Sequence, residues 1–459
     1  MSFLSRYAPP CQKLFCFLGI FLCLVTVQIS HATAQGFNSK SFTLKNGMQV
    51  VLLENHRAPV VSHMVWYRIG AADEPLGVSG VAHFLEHLMF TGTEKIPPGT
   101  YSETIKKHGG QDNAFTSQDY TAYYQNISVD KLPMVMRMEA DRMQNLQLTE
   151  DIVLRERKVI LEERNERTDN NPGALLREAV NSALFANHPY SIPVIGWKHE
   201  MEKLSLQDAL DFYNAHYRPG NAILIVGGDI SLESLKELAE QYYGNLKNPE
   251  DTGNKPSPRI WTSPAPLKTD AVITMRDKKV QAPMYQKTYR APRGDYGMEL
   301  LSNVLGEGTT SRLYKKLVIE QKIATSVGSS YDPIQYGPGT FTLYAAPAPD
   351  VAVERVEKAI DEMLEDIKQT GVTAEELSDA KSRLVNSAIY ARDSLQYPAM
   401  IFGRVLTAGF EADYVETWTD RIEATTAEEV AKAAETIFAK DKHAVIGILL
   451  PEKQALKGQ

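Results

Sequence analysis

The chain reads as an α+β protein in which one strand-and-helix unit is used twice. Three observations predict this. With 459 residues it is too long for one ordinary core, and 43% hydrophobic with 23% charged residues is a globular make-up. A stretch rich in Pro, Gly, Asp and Lys, residues 247–266, divides the chain and reads as a linker. On either side the same pattern returns: Ser205-Leu206-Gln207-Asp208-Ala209 matches Thr426-Ala427-Glu428-Glu429-Val430 at a constant offset of 221. Both segments open on a residue suited to cap a helix. Both then run into an apolar strand, Ile223-Leu224-Ile225-Val226 and Ala444-Val445-Ile446-Gly447.

Taken in order, residues 1–34 form a signal peptide. Arg6 and Lys13 precede an apolar run from Leu14 to Val27, and Ala32-Thr33-Ala34 offers a small-residue cleavage site before Gln35. The run is short for a membrane span, so no stable span is expected after cleavage. The export signal predicts a periplasmic protein. Cys11, Cys16 and Cys23 all lie in this leader, so the mature chain has no thiol for disulfides, nucleophilic catalysis or metal binding. Losing Arg6 and Lys13 takes the net charge from −8 to −10, which argues against nucleic acid as a partner.

The N-terminal domain, 35–246, opens with apolar runs around Asn46-Gly47, a hairpin signal. A strand is predicted from Val60 to Ile69, a helix around 80–90, another from Tyr101 to Lys107 ended by Gly109-Gly110, and a strand from Asp119 to Val129. Helices follow over Lys131 to Asn145 and Thr149 to Arg167, then one ending near Ala215, then the apolar strand Ala222 to Asp229. The C-terminal domain, 267–459, repeats the layout: strands between Ala271 and Ala291, a helix, more strand and long helices. Each domain is expected to be a largely antiparallel sheet with helices packed on it.

The chemistry centres on Gly80-Val81-Ala82-His83-Phe84-Leu85-Glu86-His87-Leu88. On a helix His83, Glu86 and His87 share one face. Two imidazoles one turn apart can hold Zn²⁺, and a carboxylate between them can handle the protons of a metal-activated water. This is the inverted His-x-x-Glu-His order. A catalytic zinc needs a third protein ligand, and without cysteine it must be His, Asp or Glu. In the helix around Arg155 to Arg164, Glu156 and Glu163 lie two turns apart on a face that also carries Ile152, Val159 and Ile160. That face is expected to be partly buried; a surface helix laced with Glu–Arg pairs is the other reading. His56, His63 and His443 read as surface or packing residues.

These motifs continue through Thr91-Gly92-Thr93, then Gly109-Gly110-Gln111-Asp112-Asn113-Ala114-Phe115-Thr116-Ser117, His188-Pro189-Tyr190, Pro193-Val194-Ile195-Gly196, Phe212-Tyr213 and Tyr217-Arg218-Pro219. Together they resemble the pitrilysin, insulysin and mitochondrial processing peptidase family of inverzincin metallopeptidases, in a short two-domain exported bacterial form. The resemblance implies a processing-peptidase-like fold and one Zn²⁺ per chain, held by His83, His87 and Glu163. Glu156 becomes a supporting carboxylate beside the ligands, and Glu86 the general base. It also implies that Asn113, Ala114 and Phe115 form the strand on which an extended peptide substrate docks.

The implied function is zinc-dependent endopeptidase action on unfolded chains or oligopeptides. The other class is a non-catalytic peptide-binding or scaffold subunit of a hetero-oligomeric peptidase. Relatives close a chamber from two duplicated halves; with one pair of domains, this chain is expected to dimerise with itself or with an inactive relative. Sliding the motif helix onto the second domain places Glu299, Ser302 and Asn303 over His83, Glu86 and His87. The second domain is therefore non-catalytic. The family's Arg/Tyr pair that supports the substrate carbonyl has no clear match; Arg312 and Tyr314 read instead as the start of a helix.

Overall fold

The computed structural model describes residues 36–249, 253, 255–259, 261 and 263–452. The expected leader lies outside the described residues. The described residues form one compact unit built around two sheets.

The first sheet contains β1 (Lys40–Thr43), β2 (Gln49–Glu54), β3 (Val60–Tyr67), β4 (Gln111–Thr116), β5 (Thr121–Ser128) and β6 (Ala222–Gly228), in the order β1-β2-β6-β3-β5-β4. The second contains β7 (Ala271–Asp277), β8 (Met284–Ala291), β9 (Ala324–Asp332), β10 (Gly339–Pro347) and β11 (Val445–Pro451), in the order β7-β11-β8-β10-β9. Without β1, the two orders are the same series of connections. The sheets are mixed: β2 pairs with β6 and β7 with β11 in parallel, and the remaining pairs are antiparallel. The parallel pair arises because the last strand of each unit arrives from a distant helix, not from a hairpin.

The segments matched at the offset of 221 are the helices Leu206–His216 and Ala427–Ile437, each opened by a reciprocal cap, Ser205 with Asp208 and Thr426 with Glu429. Each precedes the strand that joins its sheet in parallel. The first hairpin turns through Leu44 to Met48, longer than the tight Asn-Gly turn suggests, because Leu44 and Met48 close it by a backbone hydrogen bond of 2.9 Å. The charged helix runs Glu150–Arg164 and passes into a wider turn over Asn165–Asp169, so it stops short of Arg167. The face expected to be partly buried is so: Ile160 is sealed and Ile152 half-buried, while Val159 is 48% exposed.

Alternation along the strands gives each sheet two apolar faces. Val50, Leu52, Val65 and Leu224 pack under the first unit's own helices, while Val51, Leu53, Trp66, Ile223 and Ile225 face the other way. That second face is covered by the helix Tyr397–Thr407, from the second unit, through Ala399, Phe402, Val405 and Leu406. The exchange is reciprocal. The helix Pro172–Leu184 of the first unit covers the outer face of the second sheet, with Leu176, Val180 and Leu184 against Val445 and Leu449. Gly403 lets the first of these helices close on the sheet; a Cβ there would overlap the Trp66 indole. Strand β6, covered on both sides, is buried throughout, so its sequence shows no alternation.

The described part of the Pro- and Gly-rich stretch is strapped down. Buried Arg218 donates to the carbonyls of Lys255 and Gly253. Arg259 grips Asp73 through both carboxylate oxygens (3.0 and 2.9 Å) and reaches the Thr407 carbonyl in the second unit.

Candidate metal centre

The motif helix, Val81–Leu88, has Gly80 at its N-cap and therefore no side chain of its own to bind the free amides there. Glu74 does this from outside: its carboxylate accepts from the Gly80 and Ala82 amides at 2.9 and 2.8 Å. Burial pushes the Glu74 carboxyl up, against the pull of the two amides. Gly80 and Gly196 have positive φ (88° and 91°) and lie back to back, so a Cβ on either would strike the other strand of backbone. The Pro193–Gly196 segment is thereby fixed against the start of the helix. Phe84, Leu85 and Leu88 are sealed in the core, which leaves the His83, Glu86 and His87 face to the cleft.

Glu163, from the helix Glu150–Arg164, closes over that face. Its Oε2 lies 3.5 Å from His83 Nε2 and 3.3 Å from His87 Nε2. Ligand atoms at about 2.0–2.1 Å from a tetrahedral ion are about 3.3–3.4 Å apart, so this triad fits one Zn²⁺. It is the one cluster of three or more His, Cys, Asp or Glu among the described residues whose ligand atoms all lie within 4.8 Å of one another. The donor set, two imidazoles and a carboxylate without thiolate, suits a catalytic zinc with an open position. Burial and the neighbouring His87 push His83 down to about 4. Burial opposes charge on His87, but Glu156 and Glu163 outweigh it and raise it to about 9. The bond to His87 draws Glu163 down, and its other oxygen pairs with Arg167.

Glu156 stands on the far side of His87, its Oε2 3.6 Å from Nδ1, where it can orient the ring. Glu162 points away and accepts from Asn165. Glu86 does not join the triad. Its Oε2 accepts a 2.6 Å hydrogen bond from Thr116 Oγ1, and burial raises its carboxyl. Thr116 belongs to β4, the outer strand of its sheet, which also carries Asn113, Ala114 and Phe115. Asn113 Oδ1 accepts from the Ala114 amide at 2.9 Å, and the Phe115 ring packs edge-on against Trp66 at 5.2 Å. Asn113, Ala114, Phe115 and Thr116 line one cleft of about 700 Å³ with His83, Glu86, His87 and Glu163. Its opposite wall comes from the Pro172–Leu184 helix, where Arg177 faces the cleft.

Thr116, Glu74 and Arg167 did not stand out in the sequence. Thr116 follows Asn113-Ala114-Phe115 directly, so a strand reading could have found it by putting it one alternation from Ala114. Glu74 and Arg167 had no local signal beyond charge near a motif. In the second unit, Arg312 is tied to Glu376 (2.7 Å), the Gly371 carbonyl and Asp366, so it is a packing cation and not part of a cleft.

Residues 49–198 match the family described as Insulinase (Peptidase family M16), and residues 203–384 match the Peptidase M16 inactive domain. Zinc protease PqqE of Helicobacter pylori is 33% identical over 365 residues, 78% of this chain and 81% of that protein. A zinc protease of Bacillus subtilis, YmxG, is 25% identical over 77% of this chain and 85% of its own length. A protease from Helicobacter pylori of known structure superposes with a TM-score of 0.84 at 28% identity, over 91% of this chain and all of that one. Pitrilysin shares the fold at a TM-score of 0.73 and 19% identity, and the match spans 45% of the pitrilysin chain. With a relative at this identity over most of both chains, the chain belongs to the insulinase family, peptidase family M16.

Proposed function

We propose that the protein is a zinc-dependent endopeptidase acting on unfolded segments and oligopeptides. The observation that carries this is the convergence of His83, His87 and Glu163, with Glu163 Oε2 3.5 and 3.3 Å from the two Nε2 atoms, in the same cleft as Glu86 and the outer strand β4. The zinc named in the relatives' descriptions supports the choice of metal. A zinc ion held by these three residues supplies a Lewis acid that polarises the scissile carbonyl and makes water a better acid.

The chain's own residues do the rest. A peptide in extended form adds to the free edge of β4 and gains backbone hydrogen bonds, with Asn113 able to fix a carbonyl. This requires an extended substrate, which excludes well-folded proteins. Glu86, with one oxygen held by Thr116, uses the other to take the proton of the attacking water and then delivers it to the leaving amine. Glu156 keeps the His87 ring turned towards the metal. The cleft wall comes from the first unit alone, so a second chain, either a copy or an inactive relative, is proposed to close it. The pitrilysin match, under half of that longer chain, is consistent with such pairing. The leader motif and the fold shared with the first half of the periplasmic protease PqqL of Escherichia coli (TM-score 0.76) support a periplasmic location.

The test is the purified mature chain with an internally quenched, unstructured peptide, with zinc measured by mass spectrometry. About one zinc per chain and cleavage are expected, and Glu86→Gln should keep the zinc while losing about 10²–10⁴-fold in turnover. Zinc without cleavage would favour the alternative, a peptide-binding subunit that needs an active partner. A fully active Glu86→Gln chain would overturn the assignment of the base.

A further inference from the structure

The second unit's counterpart of the motif helix is Tyr296–Gly306. Two of its three corresponding positions are absorbed in packing. Asn303 Oδ1 accepts twice from Arg383 (3.0 and 2.6 Å), its Nδ2 donates to Glu307 at 2.6 Å, and Ser302 is buried against Ser329. Glu299, at the position of His83, differs. It opens onto a separate cavity of about 430 Å³ that shares no lining residue with the metal cleft.

Glu299 Oε2 accepts from Trp418 Nε1 at 3.2 Å, and its other oxygen has no hydrogen-bond partner among the described residues. No described cation pairs with it. The arginines of the cavity are engaged with other residues of its lining: Arg404 with Asp332 at 3.3 Å, and Arg392 over the Phe37 ring at 4.9 Å and towards Thr419 Oγ1 at 3.5 Å. Tyr331, Tyr414 and Trp418 supply aromatic walls. Burial holds the Glu299 carboxyl up to about 7, as expected for an acid without a counter-charge. An uncompensated carboxyl among aromatic faces favours a cation, which gains both charge pairing and attraction to the rings. A metal ion would find no second unpaired carboxylate there, since Asp332 is paired with Arg404, whereas an organic cation needs just one.

We propose that this cavity binds a small organic ammonium ion with an apolar or aromatic body, Glu299 providing the counter-charge and Tyr331, Tyr414 and Trp418 the walls. The volume suits a molecule of that kind, since ligand pockets run from about 300 to 1,000 Å³. The site does not depend on the peptidase reading.

The test uses the full mature chain titrated with 2-phenylethylamine, followed by calorimetry or ligand-observed NMR. N-acetyl-2-phenylethylamine has the same body without the charge. Saturable binding of the amine is expected, with the acetylated compound and Glu299→Gln each weaker by about tenfold or more. Gln keeps an acceptor for Trp418 and leaves the metal cleft untouched, so residual binding in that variant reports attachment elsewhere. The acetylated control makes the same test on the unaltered protein. No saturable binding at millimolar amine, or equal binding of the acetylated compound or by Glu299→Gln, overturns the proposal.

Discussion

At the scale of single residues, Thr116 and Glu299 show how one hydrogen bond or its lack sets a carboxyl's behaviour. Thr116 fixes one oxygen of Glu86, which on the proposed mechanism leaves the other to handle the proton of the attacking water. Thr116→Val should lower kcat by about ten- to a hundredfold with KM and bound zinc little changed, and Thr116→Ser should restore most of it. A loss confined to KM, or equal activity of the Val and Ser variants, would show that the hydroxyl does not orient the base. Glu299 lies at the other extreme: burial raises it to about 7 from 4.5. Between those values the folded chain holds a proton that the unfolded chain has released. The stability it contributes is therefore full below about pH 4.5 and is lost as pH rises through about 7, by at most about 3 kcal/mol. Glu299→Gln should melt close to the wild type at pH 5 and above it at pH 8; scanning calorimetry at the two pH values decides this.

At the scale of elements, the helices that cross between units carry the strongest packing demands. Tyr397–Thr407 lies on the first sheet with Gly403 against Trp66, where no Cβ has room. Gly403→Ala should destabilise the protein by about 1–3 kcal/mol through overpacking, despite Ala being the better helix former. Trp66→Leu in the same chain should recover part of that loss, because the two changes act on one contact. Strictly additive losses in denaturant titrations would disprove the contact as the cause. The motif helix shows a different demand. It is short, lacks a cap of its own, and is held by Glu74 and by the Gly80–Gly196 approach.

At the scale of the whole molecule, each sheet has one face covered by a helix from the other unit, so neither unit buries its own core completely. Residues 35–246 alone would expose Met64, Trp66, Ile223 and Ile225, all sealed in the full chain. That half should be aggregated or bind a hydrophobic dye when expressed alone, and co-expression with 267–459 should rescue it. A soluble, dye-free monomer with a cooperative melt would contradict the reciprocal cover. The metal cleft depends on the same arrangement, since Pro172–Leu184 both lines it and spans to the second sheet.

The sequence by itself determined what is local or periodic. His83, Glu86 and His87 share a helix face because 3.6 residues make a turn, and both members of the repeated helix carry their caps in sequence. The two-unit layout was legible from lengths and an apolar strand after each of those helices. Tertiary structure decided everything that joins distant segments. It brought Glu163 within 3.5 Å of both imidazoles, left Val159 exposed on the same helix, and aimed Thr116 of the edge strand β4 at Glu86 of the motif helix. It also exchanged helices between the units, which no hydrophobic pattern specifies. An apolar face states that it must be covered, but the pattern carries no record of which segment covers it.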